Sequence, residues 1–349
     1  MLHGQAVARA CLELKQQGFR PDIVMGHPGW GETLFIKDVY PDVPLVNYGE
    51  FFYHSFGADV NFDPEDPTDI DAVCGLRARN AHLLAALTTA DRILCPTRWQ
   101  KALHPAAFHD RISVVFDGVD TEVVRPGPAS FVLPDGRTLT RDDEVVTYVA
   151  RSLEPLRGFR ILMRAVPRLC ALRPRAQIVI VGGDQRGYGA APPEGMTWRE
   201  ALSKEVAYDP ARVHFCGIID YARYLDLLRI SSAHVYLTYP FVMSWSLVEA
   251  MAAECLVIGS RTAPVEEVIE DRCNGLLVDF FSHDLLAETV AAALAEPRRF
   301  DGLRRRARES ILDGYSVAAC LPRQRAILHE LAGHELARVA SYAPVAPAA

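Results

Sequence analysis

Two arginines, Arg151 and Arg157, and the pair Ser246 and Glu249 are the side chains of this chain best suited to hold an anion. Guanidinium groups meet phosphate oxygens in a two-pronged fork, each charged hydrogen bond being worth roughly 1.5 to 3 kcal/mol. The arginines could equally pair with acids at the surface. Ser246 and Glu249 also admit two readings. Their S-x-x-E spacing is that of a capping box, in which hydroxyl and carboxylate satisfy helix amides that lack intrahelical partners. Alternatively those amides face an anion, which the helix dipole favours by roughly 0.3 to 1 kcal/mol, while Glu249 accepts hydrogen bonds from a ligand's hydroxyls. In that second reading the four residues describe a site for a diphosphate.

A second set lies earlier in the chain. The loops His27-Pro28-Gly29-Trp30-Gly31-Glu32 and Tyr48-Gly49-Glu50-Phe51-Phe52-Tyr53-His54 place imidazoles and carboxylates beside aromatic rings. Sugar-like ligands are gripped this way, flat rings meeting C–H faces and polar groups meeting hydroxyls. A lone His or Glu in such a loop is about as often a turn former.

Alternating apolar runs and helical patterns must position these groups. From Ala233 to Phe280 the pattern predicts strand Val235–Tyr239, helix Ser246–Ala253, strand Leu256–Gly259, helix Pro264–Asp271 and strand Leu276–Val278, which requires a parallel sheet. Ligands of such sheets sit beyond the carboxyl ends of the strands. Further strands are expected at Asp22–Met25, Pro44–Asn47, Arg92–Cys95, Ile112–Phe116, Val145–Val149, Gln177–Val181 and Val213–Cys216. Helices are expected at Ala72–Thr88, Phe159–Leu172 and Tyr221–Ile230, and at the N-terminus with Val7, Ala10, Cys11 and Leu14 on one face. The polar stretch from Arg125 to Asp143 is the best domain boundary.

The chain of 349 residues has room for two domains, half its residues are hydrophobic, and its net charge is −7. That charge argues against a nucleic-acid partner, since neutralising phosphates needs clustered basic surface. Eight scattered cysteines without a C-x-x-C pair read as buried thiols in a reducing cytoplasm. No apolar run is long enough to span a bilayer, so the expectation is a cytoplasmic protein with at most peripheral membrane contact. The acids between Gly57 and Asp71 match no calcium loop and read as a solvated segment. The arginine-rich run Arg298–Arg308 reads as a solvated helix end rather than a membrane or phosphate patch. Neither a G-x-G-x-x-G fingerprint nor a Walker A sequence occurs.

From Val145 to about Pro297 the segments ARSLEPLRG, IVIVGGD, RVHFCGII and TYPFVMSWSLVEAMA through TAPVEEVIEDRCNGLLVDF, in that order, resemble the nucleotide-binding domain of the retaining family 4 glycosyltransferases, also called glycosyltransferase group 1. The segments PDIVMGHPGWGE, ADRILCPTRWQ and ISVVFDGVD resemble the later part of that family's acceptor domain. The resemblance implies an α/β protein of GT-B fold, with two Rossmann-like domains whose parallel sheets face a cleft: 1–125 on the acceptor side, 140–300 for the nucleotide sugar, and helices in 301–340 crossing back. It implies transfer of a hexosyl group from a nucleotide-diphosphate sugar to an acceptor hydroxyl, with retention and without a bound metal or other cofactor. Arg151 and Arg157 would hold the diphosphate, with Gly183 and the amides around Ser246 and Leu247 beside it. Glu249 would take the ribose hydroxyls. His27 and His54 would be the catalytic groups facing sugar and acceptor, with Trp30, Glu32 and Glu50 on the acceptor side.

Several positions depart from the family pattern. Phe241 stands where a second glutamate is usual, Ser244 and Trp245 replace a glycine and a small apolar residue, and Arg157 replaces a lysine. The first strand and glycine loop expected of the acceptor domain have no counterpart, so a late start or a fragment is expected, with an exposed sheet edge. Two alternatives are a non-catalytic nucleotide-sugar binder and a sugar-nucleotide epimerase.

Overall fold

A computed structural model describes Met1–Gly333. The chain forms two compact units, Met1–Gly118 together with the chain from Ala318 onward, and Val119–Val317.

In the first unit α1 (Leu2–Gln16), β1 (Val24–Gly26), α2 (Ile36–Val39), β2 (Leu45–Tyr48), α3 (Ile70–Thr89), β3 (Arg92–Cys95), α4 (Arg98–Leu103) and β4 (Ile112–Val114) follow in order. The strands form one parallel sheet in the order β1-β2-β3-β4. Leu45, Val46, Ile93 and Leu94 are buried in it, and Leu83 and Leu87 of α3 pack close by. Asp69 caps α3 through the Ala72 amide, and Thr97 caps α4 through the Gln100 amide. The expected apolar face of α1 is only partly covered: Val7 and Cys11 are half-buried, whereas Leu14 is 43% exposed. Among the described residues β1 is an edge strand, and Met25 on it is 49% exposed.

The second unit opens with the hairpin β5 (Phe131–Val132) and β6 (Thr138–Leu139). Here the polar stretch read as a boundary turns inward, because Phe131, Leu133 and Leu139 join the core with Val145, Val179 and Leu227. There follow β7 (Val145–Ser152), α5 (Phe159–Leu172), β8 (Gln177–Gly183), α6 (Trp198–Glu205), β9 (Val213–Phe215), α7 (Tyr221–Ile230), β10 (Ala233–Tyr236), α8 (Trp245–Ala252), β11 (Val257–Ser260), α9 (Ala263–Glu266), β12 (Leu276–Val278), α10 (His283–Ala295) and α11 (Asp301–Gly314). Six parallel strands are ordered β12-β11-β10-β7-β8-β9. The strand predicted at Val235–Tyr239 ends early, at Tyr236, and Leu237 onward is loop.

Of the helices expected in 301–340, α11 packs on α8 in the second unit, whereas α12 (Val317–Ala332) runs onto the first, where Gln324 donates to the Phe116 carbonyl at 2.9 Å. Positions 334–340 lie outside the described residues. The arginine run is solvated at Arg298, Arg299, Arg305 and Arg306, as expected, but not throughout: Arg304 is buried and donates to the Ser232 and Glu254 carbonyls, and the half-buried Arg308 donates to the Val124 and Thr121 carbonyls.

Candidate functional site

In the second unit the crossovers from β7 proceed to β8 and β9 on one side, and the chain then returns to place β10, β11 and β12 on the other. The direction of winding reverses between β7 and β10, and such a switch point opens a crevice beyond the strands' carboxyl ends. Two loops leave the sheet there, Leu153–Gly158 and Leu237–Ser244. They are tied together: the Tyr239 amide donates to the Leu156 carbonyl at 2.9 Å, and the Tyr148 hydroxyl to the Arg157 carbonyl at 2.8 Å. Gly158 supplies the turn into α5 with a left-handed φ of 75°.

Arg157 stands at this junction, half-buried. Its Nη1 donates to Thr238 Oγ1 at 3.1 Å and to the Val242 carbonyl at 2.9 Å, and its guanidinium lies 5.5 Å from the centre of the Phe241 ring. Phe241 in turn lies 5.6 Å from Tyr188. Every one of these partners is neutral. A charge withdrawn from water without a countercharge is costly, so the crevice is electrostatically prepared for an anion. Arg151 is exposed at the end of β7, and its carbonyl accepts from Gln185 at 2.9 Å. Gly183 closes β8 opposite Ser152. Glu154, 4% exposed, accepts from the Gly189 amide at 2.7 Å and so fastens the glycine-containing loop after β8 to the arginine loop.

The capping-box reading of Ser246 and Glu249 is overturned. Helix α8 begins one residue earlier, with Ser244 as its cap, whose Oγ accepts from the Ser246 amide at 3.3 Å and the Ser246 hydroxyl at 3.0 Å. The Leu247 amide donates to the Ser244 carbonyl at 3.1 Å, so both amides assigned to an anion already have a partner in the first turn. Glu249 is thereby released from capping. Its carboxylate accepts from the Tyr221 hydroxyl at 2.7 Å and the Tyr224 hydroxyl at 2.9 Å. Burial raises the Glu249 pKa, and the two phenols act against that rise.

The first unit carries a small pocket at the carboxyl ends of its strands, lined among others by His27, Tyr48, Glu50, Phe51, Tyr53 and His104. His27 Nδ1 accepts from the Gly29 amide at 3.0 Å, which places the ring proton on Nε2, 3.1 Å from Glu50 Oε2. Tyr48 donates to Asp117 at 2.9 Å. His54 is not brought to this pocket, its Nε2 instead bonding the Leu103 carbonyl at 2.7 Å. Glu32 accepts from the Trp30 amide at 3.0 Å, a turn within the loop, and Trp30 is 69% exposed. In the acidic loop Asp63 is buried rather than solvated, and burial lifts the Asp59 carboxyl to about 6. Among the described residues no group of three or more His, Cys, Asp or Glu could hold a metal ion, and no helix is long and apolar enough to cross a membrane.

The Glu50 hydrogen bond is the main cause of a raised His27 pKa. A raised histidine pKa means the pair's stabilisation is full below the ordinary value and fades as pH rises through the raised one. Glu50→Gln is therefore expected to move the His27 titration midpoint downward in an NMR pH series. The accompanying loss of stability, below about 1 kcal/mol for so exposed a pair, should shrink as pH rises from about 6.5 upward.

Thr238, Tyr221, Tyr224, Glu154 and His104 belong to these sites but were not singled out from sequence. Their only advance signal was position, at strand ends or one helical turn apart.

The sequence model described as "Glycosyl transferases group 1" matches residues 135–310, and "Glycosyl transferase family 4 group" matches residues 1–124. The chain belongs to the group 1 glycosyltransferases. Among curated relatives of this group 1 chain is the D-inositol 3-phosphate glycosyltransferase of Segniliparus rotundus, 26% identical over 57% of this chain and 43% of that protein. The protein of the same name from Mycobacterium tuberculosis is 30% identical over 54% of this chain and 38% of its own. The aligned part thus spans less than half the length of either. Anabaena HepE in complex with UDP superposes with a TM-score of 0.66 at 15% identity, covering 93% of this chain and 82% of that one. Sucrose-phosphate synthase from Thermosynechococcus elongatus gives 0.69 at 20%, covering 93% and 77%. At such identity the likeness establishes fold, and the expected GT-B class with its two Rossmann-like units holds. The region matched by the group 1 model contains Arg151, Arg157, Gly183, Ser246, Leu247 and Glu249.

Proposed function

We propose that this chain is a retaining hexosyltransferase, moving a sugar from a nucleotide-diphosphate sugar to an acceptor hydroxyl. The observation that carries the reading is Arg157, a half-buried cation at the switch point of a doubly wound sheet whose bonded partners are all neutral. A departing diphosphate gathers negative charge as the bond to the sugar breaks, and a preorganised cation stabilises that state more than the ground state. Arg157 would receive this charge, with Arg151 able to swing in from the surface. Glu249 would accept from the ribose hydroxyls, its orientation set in advance by Tyr224 and its second oxygen exchanging Tyr221 for the ligand. In the first unit His27 and Glu50 would meet the acceptor, while His54 and Trp30 are further candidates for contact with sugar or acceptor. Retention of configuration and independence from metal rest on the family resemblance.

A uridine nucleotide is the first donor to test, since HepE was crystallised with UDP and with UDP-glucose, and an inositol phosphate is the first acceptor, from the names of the curated relatives. Incubation with UDP-glucose and inositol phosphate should release UDP only when both are present, with an α linkage in the product by NMR. Tight binding of UDP-glucose without turnover across a panel of hydroxyl acceptors would show a binder instead, and conversion to another sugar nucleotide without acceptor an epimerase.

A further inference from the structure

The loop that follows β8 carries an aromatic side chain to which the transfer reading gives no part. Tyr188 is 63% exposed, and its ring lies 5.6 Å from that of Phe241, which itself covers the Arg157 guanidinium. A glycine stands on each side of it. The Gly189 amide donates to the buried Glu154 carboxylate at 2.7 Å, and a Cβ on Gly189 would come within 3.1 Å of the Leu156 Cβ. A Cβ on Gly187 would run into that same carboxylate. Only glycines therefore let this loop lie flat on the segment that bears Arg157, and the result is a ring held at the mouth of the crevice with most of its surface in water.

The topology tells which part of a ligand this ring would meet. Right-handed crossovers stepping from β7 to β8 and β9 place α5 and α6 on one face of the sheet, and the reversed steps from β10 to β11 and β12 place α8 on the other. Glu249 belongs to α8, and α7 lies beside it, because Tyr221 and Tyr224 reach its carboxylate. The Tyr188 loop leads instead into α6. Arg157 stands between the two, reaching from the loop after β7 to the loop after β10. A diphosphate on Arg157 whose ribose meets Glu249 therefore directs the group on its distal phosphate toward the opposite face, where Tyr188 is.

From this arrangement we infer that Tyr188 determines donor specificity: with Phe241 it forms the wall of the sugar subsite, its ring packing on a C–H face of the hexose to be transferred. The faces of the two rings offer a hydroxyl no acceptor, so the subsite favours a hexose that turns C–H bonds rather than hydroxyls toward them. The inference rests on the proposed transfer for the identity of the ligand.

The test uses the full chain and calorimetry with two pairs of probes, UDP with UDP-glucose and GDP with GDP-mannose, and reads the ratio of the two affinities within a pair. In Tyr188→Ala the nucleotide sugar is expected to bind about three- to tenfold more weakly, the size of one aromatic contact, while the diphosphate alone binds as in wild type. Tyr188→Phe, which keeps the ring, should retain the wild-type ratio. Both variants should fold, since the side chain is exposed, and an unchanged melting temperature checks this. An unchanged ratio in Tyr188→Ala for whichever pair binds, or an equal loss for diphosphate and nucleotide sugar, would overturn the inference and leave the transferase standing. A wild-type chain that takes neither diphosphate would overturn both.

Discussion

Arg157→Ala is expected to weaken the binding of a nucleoside diphosphate by roughly ten- to a hundredfold, the range spanned by one charge-assisted phosphate contact. The fold should survive at a modest cost in stability, because the partners left behind are a single buried hydroxyl, that of Thr238, worth about 1 to 3 kcal/mol when unpaired, and the half-buried Val242 carbonyl. Arg157→Lys is the sharper variant. It retains the charge but gives up both the fork that spans Thr238 and Val242 and the flat contact with Phe241, so an intermediate affinity is expected. Titration calorimetry with UDP at fixed salt measures both. Unchanged affinity together with a lowered melting temperature would make Arg157 a strut between two loops and remove the diphosphate reading's main support.

Much of the frame around Arg157 is legible in the bare sequence. Strands Arg92–Cys95 and Leu276–Val278 and helices Phe159–Leu172 and Tyr221–Ile230 appear as expected, because buried parallel strands and amphipathic helices write strong periods. The Arg157 charge was equally legible. Its partners were not: Thr238 lies beyond Tyr236 in a stretch that an apolar run disguised as more strand, and the Val242 carbonyl belongs to the loop after it, whose course no spacing rule gives. The same limit explains Ser246: S-x-x-E was correct as spacing, but Ser244 sits two residues nearer the loop and captures the cap first, freeing Glu249 for two phenols from α7. No rule of spacing connects positions 221 and 249; only the packing of α7 beside α8 does. His104 and Glu50 meet around one pocket for a similar reason, Glu50 brought there by the loop after β2 and His104 by the end of α4.

Phe241 shows how a departure from pattern can be put to use. It stands where a carboxylate was expected, and a carboxylate there could pair with Arg157 and neutralise it. The aromatic ring instead covers the guanidinium and passes the contact on to Tyr188, leaving the positive charge unspent. A site that presents a net cation to its ligand discriminates for diphosphate over an uncharged sugar, and the same cation remains when the sugar is gone.

Gly158→Ala should be the most damaging single substitution near this site, lowering stability by about 2 to 4 kcal/mol. Two costs combine. The residue holds φ at 75°, where a β-carbon is strained, and an added Cβ would stand 2.2 Å from the Leu237 Cβ. Leu237 is 2% exposed, and the Thr238 amide after it donates to Ser260 Oγ at 3.1 Å, so the strand end cannot retreat easily. The neighbour displaced would be Arg157 itself, so UDP affinity should fall with stability. Gly136→Ala separates the two costs, because Gly136 has a φ of 87° but nothing within 4 Å of its added Cβ. That variant should lose only about 1 kcal/mol, from backbone strain, and bind UDP normally. Urea unfolding, followed through the transition that reports the second unit, compares them. Equal losses for both glycines would mean that the contact with Leu237 adds nothing, and that the loop bearing Arg157 is held by its hydrogen bonds alone.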